Sequence, residues 1–251
     1  MVRMMVDPAY CAAVYAGAPC GLAPADRALL TAVDRRAWST DRFRRPRLTQ
    51  ALLEEYPATA SIVGVAGVDA FFGDAAFARC LEERGSMALH FGRWIAPRGG
   101  GVARIEAAVA AARRWTPTPG RGVQRGPGVV PVSVPDGSLA ALGAARSRLG
   151  PAPLAALAQG LRTEAPPKGP DDEHLLVTCT AASEVGVSGV GAALAAVVEA
   201  ARRPQPKGAL LGRMRRLGAS SSEARALLAE LLEDRTLAES PAAWPALDLS
   251  S

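Results

Sequence analysis

Residues 52–95 read LLEEYPATASIVGVAGVDAFFGDAAFARCLEERGSMALHFGRWI, and the punctuation of this stretch makes the first half of the chain a set of short helices. Proline has no N–H to donate and pushes the residue before it out of the α region, so Tyr56-Pro57 ends the helix that begins near Leu48. A new short helix follows over 58–63. Gly64 and Gly67 stand at turn or C-cap positions, Val68 to Phe72 is a short apolar run, and 75–84 is a further helix closed by Gly85. Met87 to Ile95 then sets bulky apolar groups at helical spacing around His90 and Gly92.

Upstream, Pro8 to Ala16 reads as a short helix. Pro24 to Arg36 reads as a clearer one, with Asp26 near its start and Leu29, Leu30 and Val33 on its apolar side. A basic stretch to Pro46 leads into the Leu48 helix. Downstream, Val102 to Trp115 is strongly periodic, with Ile105, Ala108, Val109 and Ala112 on one face, and completes an N-terminal bundle. Thr116 to Gly122 is dense in proline and glycine and reads as a linker. The expected division is therefore a helical domain over 1–116, a linker over 117–127, a second domain over 128–238 and a tail over 239–251.

Past the linker the period changes. Val129 to Val134 is β-branched and bounded by turn residues, so it reads as a strand, with Pro131 confining it to a sheet edge. Ser138 is a plausible N-cap for a helix over 139–149, and Leu154, Leu157 and Leu161 suggest another short helix. Leu175 to Thr180 and Glu184 to Ser188 read as a β-hairpin. Three helical patterns complete the chain, over 191–203, 207–217 and 221–234, the last started by Ser221 or Ser222 with Glu223 in its first turn. The expected class is α+β, mostly α.

Composition narrows the chemistry. Hydrophobic residues make up 49% of the 251 but aromatics only 5%, so alanine, valine and leucine must supply most of the core. The net charge is +5, carried almost entirely by arginine, with Lys168 and Lys207 the only lysines. The basic residues are spread out and lack interleaved aromatics, which makes nucleic acid an unlikely partner. The densest group, Arg42, Arg44, Arg45 and Arg47, is either a solvated helix start beside Pro46 or a contact for an acidic partner.

Cys11, Cys20, Cys80 and Cys179 show no C-x-x-C spacing, so neither a zinc site nor a disulfide framework is expected; they read as free thiols in a reducing cytosol. His90 and His174 stand in no metal-ligand spacing, and no nucleophile or phosphate-binding fingerprint stands out. The acidic run Asp171, Asp172, Glu173 reads as a solvated loop. No secretory or membrane-spanning segment is apparent, and the expected location is cytoplasmic.

The ordered set Tyr56-Pro57, Ile62-Val63-Gly64, Phe71-Phe72, Phe77 with Cys80-Leu81, and His90-Phe91-Gly92 with Trp94-Ile95 resembles the N-terminal helical domain of a partner-protein family. Those partners accompany multinuclear non-haem iron oxygenases that modify cysteine-containing peptides, as in methanobactin, thiaglutamate and bufferin-type pathways. The likeness is carried by residues 25–96. His90 departs from it, standing where tyrosine is more usual. The strand and helix order of the second half is similar to the winged-helix-like recognition element that holds the leader of ribosomally synthesised, modified peptides by strand addition.

The resemblance implies a non-catalytic accessory subunit with no cofactor of its own, the iron belonging to a partner oxygenase with which it forms a heterodimer. The helical domain would dock on that oxygenase, with Arg42, Arg44, Arg45, Arg47 and His90 as interface candidates. The second domain would hold the precursor peptide. Its binding edge would be Glu184, Val185, Gly186, Val187 and Ser188, and its groove would be lined by Leu228, Leu231 and Leu232, although leucines at that spacing by default form a core. The alternative is a winged-helix DNA-binding regulator, with Arg213, Arg215 and Arg216 as the basic flank of a helix-turn-helix.

Overall fold

The computed structural model describes residues 2–38, 44–116, 118–164, 168–180 and 184–240. It is mostly helical with small antiparallel sheets, in keeping with the expected α+β class. The chain forms two compact units, one of Met1–Ala107 with Leu139–Pro167, the other of Ala108–Ser138 with Lys168–Ser251. This division differs from the one expected at 117–127. Part of that segment, Val123–Arg125, is a strand, and residues 139–167 return to the first unit.

The first unit holds α1 (Val2–Val6), α2 (Pro8–Tyr15), α3 (Pro24–Thr31), α4 (Arg35–Trp38), α5 (Arg44–Glu55), α6 (Pro57–Val63), α7 (Val65–Asp69) and α8 (Ala75–Glu82). It also takes most of α9 (Met87–Arg113), together with α10 (Ser138–Leu149) and α11 (Pro153–Ala158). Asp7 caps α2 by accepting the Tyr10 amide at 3.0 Å, with Pro8 in the first turn. The helix expected from Leu48 starts earlier, at Arg44, because Pro46 falls within the first turn where no intrahelical N–H is needed. Tyr56-Pro57 separates α5 from α6 as expected.

The two helices expected on either side of Pro97-Arg98-Gly99-Gly100-Gly101 are both present within α9 and meet at a kink, where Gly100 leaves the helical path with φ 60° and ψ −143°. The core of this unit is aromatic despite the composition. Tyr56, Phe71, Phe72, Phe77, Phe91 and Ile95 are all at most 2% exposed. Phe71 sits at the centre, with ring centroids of Phe77, Phe91 and Trp94 at 5.4 to 5.5 Å. Each such pair is worth about 0.5–1.5 kcal/mol beyond its area burial. The Tyr56 hydroxyl donates to the Ala88 carbonyl at 2.7 Å, so its one polar group is satisfied inside the core.

In the second unit, β2 (Val129–Val134), β3 (Glu173–Cys179) and β4 (Val185–Gly189) form an antiparallel sheet in that order. The expected strand and hairpin are therefore present. One face, with Val130, Val132, Val177, Cys179, Val185 and Val187, packs on Ala108, Val109 and Ala112 at the end of α9. The other, with Val129 and Leu176, packs on Leu194 and Val198 of α12 (Ala192–Ala200).

Two further helices follow, α13 (Lys207–Arg216) and α14 (Ser221–Glu233). The N-cap of α14 is Ser220, one residue before the expected start, in a capping box with Glu223. A two-stranded ribbon joins β1 (Val123–Arg125) to β5 (Leu237–Glu239) and closes the helical core.

Candidate functional site

The candidate site is the outer edge of β4. Antiparallel pairs alternate between residues whose amide and carbonyl face the partner strand and residues whose groups face away. Thr180 donates to the Glu184 carbonyl at 3.0 Å and Val190 to the His174 carbonyl at 2.8 Å. With the register Thr178 to Gly186 and Leu176 to Ser188, the even-numbered residues of β4 face β3. The main-chain groups of Val185, Val187 and Gly189 consequently point outward. β4 is last in the sheet order, so no other described strand pairs with them.

The side chains along this edge are of two kinds. Val185 and Val187 are half-buried on the α9 face. Gly186 and Ser188 are exposed on the α12 face, and a Cβ on Gly186 would come within 2.8 Å of the Thr178 hydroxyl. A strand added here would meet a valine pair on one face and a nearly bare shelf on the other. Glu184 is exposed at the end of the hairpin.

The groove expected beside this edge is corrected. Leu228 and Leu231 are only 5% and 4% exposed and belong to the core with Val197, Leu210, Met214 and Leu237. Helical spacing turns them inward because α14 packs on α13 and β5. Leu232 is half-buried and faces a shallow depression with Pro127, Arg235 and Leu237.

In the first unit, Arg45 is turned onto Asp69. Its Nε meets Oδ1 at 2.8 Å and its Nη2 meets Oδ2 at 2.6 Å, while the Thr49 hydroxyl also donates to Oδ1 at 3.2 Å. The hydrogen bond from Arg45 holds the Asp69 carboxyl below its ordinary range and raises the guanidinium in turn. Arg44 donates to the Met5 sulfur, Arg47 is exposed, and Arg42 lies outside the described residues. His90 has an 11% exposed side chain, with Nε2 at 3.3 Å from a Glu83 carboxylate oxygen. Among the described residues of this group, Arg44 and Arg45 are half-buried and Arg47 is exposed.

The cysteines are free, Cys11 and Cys80 buried and Cys20 and Cys179 half-buried, and burial pushes the Cys80 thiol up. Among the described residues no group of three or more His, Cys, Asp or Glu is placed to hold a metal ion, and no helix is long and apolar enough to cross a membrane.

A cavity of about 410 Å³ that sequence reading did not anticipate lies between β2 and α12, lined by Pro131, Ser133, His174, Ala195, Glu199 and Arg213 among others. The alternation in Val129 to Val134 was the available signal, since it sends Pro131 and Ser133 to the same face. Their neighbour His174 comes from 41 positions along the chain, and Ser133 Oγ lies 2.8 Å from its Nδ1. No known family profile matches this chain, and no curated protein matches it significantly.

Proposed function

We propose that this protein is a non-catalytic partner subunit that binds the leader of a precursor peptide and presents the cysteine-containing core of that peptide to an iron-dependent oxygenase. The observation that carries the reading is the edge of β4, where Val185, Val187 and Gly189 offer outward main-chain groups. Strand addition there supplies affinity through main-chain bonds, and the valine pair supplies preference for alternate apolar residues. Tethering the peptide raises the effective concentration of its reactive cysteine at the partner's iron. The helical unit, with Arg47 on its surface, is the docking element in this reading.

The test is co-expression with a neighbouring oxygenase and a tagged precursor peptide. A stable iron-containing heterodimer that retains the peptide is the expected result. A chain that ignores both would sink the reading.

The second reading, a DNA-binding regulator, is favoured by the pair α13 and α14 with exposed Arg213, Arg215 and Arg216. Against it, the helix that would enter the major groove is α14, whose exposed charges are Glu223, Arg225, Glu230 and Glu233. A helix with three carboxylates and one guanidinium repels phosphates. Tight DNA binding with a steep salt dependence would reverse the order of the two readings.

A further inference from the structure

The cavity between β2 and α12 has a definite chemical character. Its helical wall is made of Ala192, Ala195 and Ala196, whose small side chains leave the space open. On the strand side, Gly128 accepts the Cys179 amide at 2.9 Å, which fixes Val130 and Val132 as the residues facing β3. Val129, Pro131 and Ser133 therefore turn their main-chain groups away from β3. Proline has no N–H, so along this edge Pro131 contributes a carbonyl and Ser133 contributes both an amide and a carbonyl.

Charge at the far end is unbalanced toward positive. Glu199 and Arg213 both line the cavity. Glu199 is held loosely by Arg125, with Nη1 to Oε2 at 3.7 Å. The side chain of Arg125 is 14% exposed, and its Nε is buried with no hydrogen-bond partner among the described residues. Burial draws this guanidinium below the usual arginine range, Glu199 opposes that pull, and the nearby Arg202 adds to it. One carboxylate and three guanidinium groups, of Arg125, Arg202 and Arg213, thus share this region.

We propose that this groove binds an extended, acidic peptide segment, pairing its main chain with Ser133 and receiving a glutamate or aspartate carboxylate at Arg213 beside the Arg125–Glu199 pair. An incoming carboxylate balances the cluster, whereas a cation would add to its excess. Backbone pairing at Ser133 and apolar contact with the alanine wall favour a peptide over a free anion. The site lies at the β2 edge, on the opposite side of the sheet from β4, and stands without the leader-binding reading.

The probes are a blocked, valine-rich pentapeptide with a central glutamate and its glutamine twin, titrated calorimetrically against the full chain. The glutamate peptide is expected to bind about tenfold more tightly, the usual scale of one charge-assisted hydrogen bond. Arg213→Gln, at an exposed position, should erase that difference. Glu199→Gln removes the competing carboxylate and should tighten binding of the glutamate peptide by about threefold, a modest relief of like-charge repulsion. Val187→Pro on β4 should leave this binding unchanged, so a failed leader-binding reading stays distinguishable from a failed groove. Absence of binding, equal binding of the twins, or a difference that survives Arg213→Gln would overturn the proposal. So would inorganic phosphate binding as tightly as the glutamate peptide, which marks a simple anion site.

Discussion

The carboxylate of Glu106 accepts the main-chain amide of Thr59 at 2.8 Å, across 47 positions of sequence, and the Ala58 amide at 3.1 Å. The start of α6 has no side-chain cap of its own, so a buried residue of α9 closes it instead.

That arrangement predicts a pH dependence. Burial lifts the Glu106 carboxyl above the 4.5 of an ordinary glutamate, against the pull of the Thr59 and Ala58 amides. A carboxyl raised in the folded state leaves its contribution intact below the unfolded value and loses it as the pH rises through the folded one. Urea midpoints from pH 4 to 8 should therefore fall further for the natural protein than for Glu106→Gln. Identical profiles would refute the assignment. Glu106→Ala should cost about 2–4 kcal/mol, since it orphans two amides and leaves a cavity.

The Arg45–Asp69 pair titrates in the opposite sense. Its carboxyl is depressed, chiefly by the hydrogen bond from Arg45, so its contribution is present above the unfolded value and is lost as the pH falls through the folded one. The side chains are 28% and 38% exposed, so solvent screening limits the pair to about 0.5–1 kcal/mol. Arg45→Ala should lower the melting temperature slightly. Arg47→Glu, at an exposed position, should weaken oxygenase capture if that face docks. An unchanged melting temperature for Arg45→Ala would remove the pair from the stability of the first unit.

Gly100 occupies backbone space at φ 60° and ψ −143° that is nearly exclusive to glycine. Gly100→Ala should destabilise the first unit by about 1–3 kcal/mol. Chemical denaturation is the direct check, and an unchanged midpoint would mean that α9 can straighten there.

The β4 edge predicts a contrast between neighbours. The Val187 amide points outward, so Val187→Pro should preserve the fold and abolish leader binding. The Gly186 amide faces Thr178 in the ladder, so Gly186→Pro should destabilise the sheet itself. Leu228→Ala and Leu231→Ala should each cost about 2–4 kcal/mol through the helical core. Peptide affinity that falls on Leu228→Ala while stability holds would restore α14 as a groove wall.

Much of the fold was legible wherever local signals act alone. The β-branched run Val129 to Val134 and the break at Tyr56-Pro57 both lie where reading placed them. What escaped is held by distant partners. Val123 to Arg125 sits in a proline- and glycine-rich run, and becomes a strand only because Leu237 to Glu239 returns beside it and the Val123 and Gln205 amides and carbonyls pair at 2.8 Å. The glycines of α9 read as a break between helices, which Gly100 makes, but not as a packing surface, and Gly99 permits α6 to approach so closely that a Cβ there would lie 3.0 Å from Thr59 Cγ2. Of the candidate site, the strand itself was legible as the second arm of a hairpin, while its role as an edge came only from the resemblance. Leu228 and Leu231 suited a core by default, and the packing of α13 and β5 on α14 is what covers that face, which periodicity alone does not name.

The return of residues 139–167 to the first unit bears on how the chain is made. During synthesis, the opening 107 residues emerge without two of their helices, and the strand Val129–Val134 leaves the ribosome before either. Thr163 must then reach back to Ser61, donating its amide to the Ser61 carbonyl at 3.0 Å, before the first unit is complete. The two units cannot be separated by one cut at 117–127, and a fragment ending at 116 should behave as an unfinished bundle. Any effort to express the halves apart has to carry α10 and α11 with the first of them.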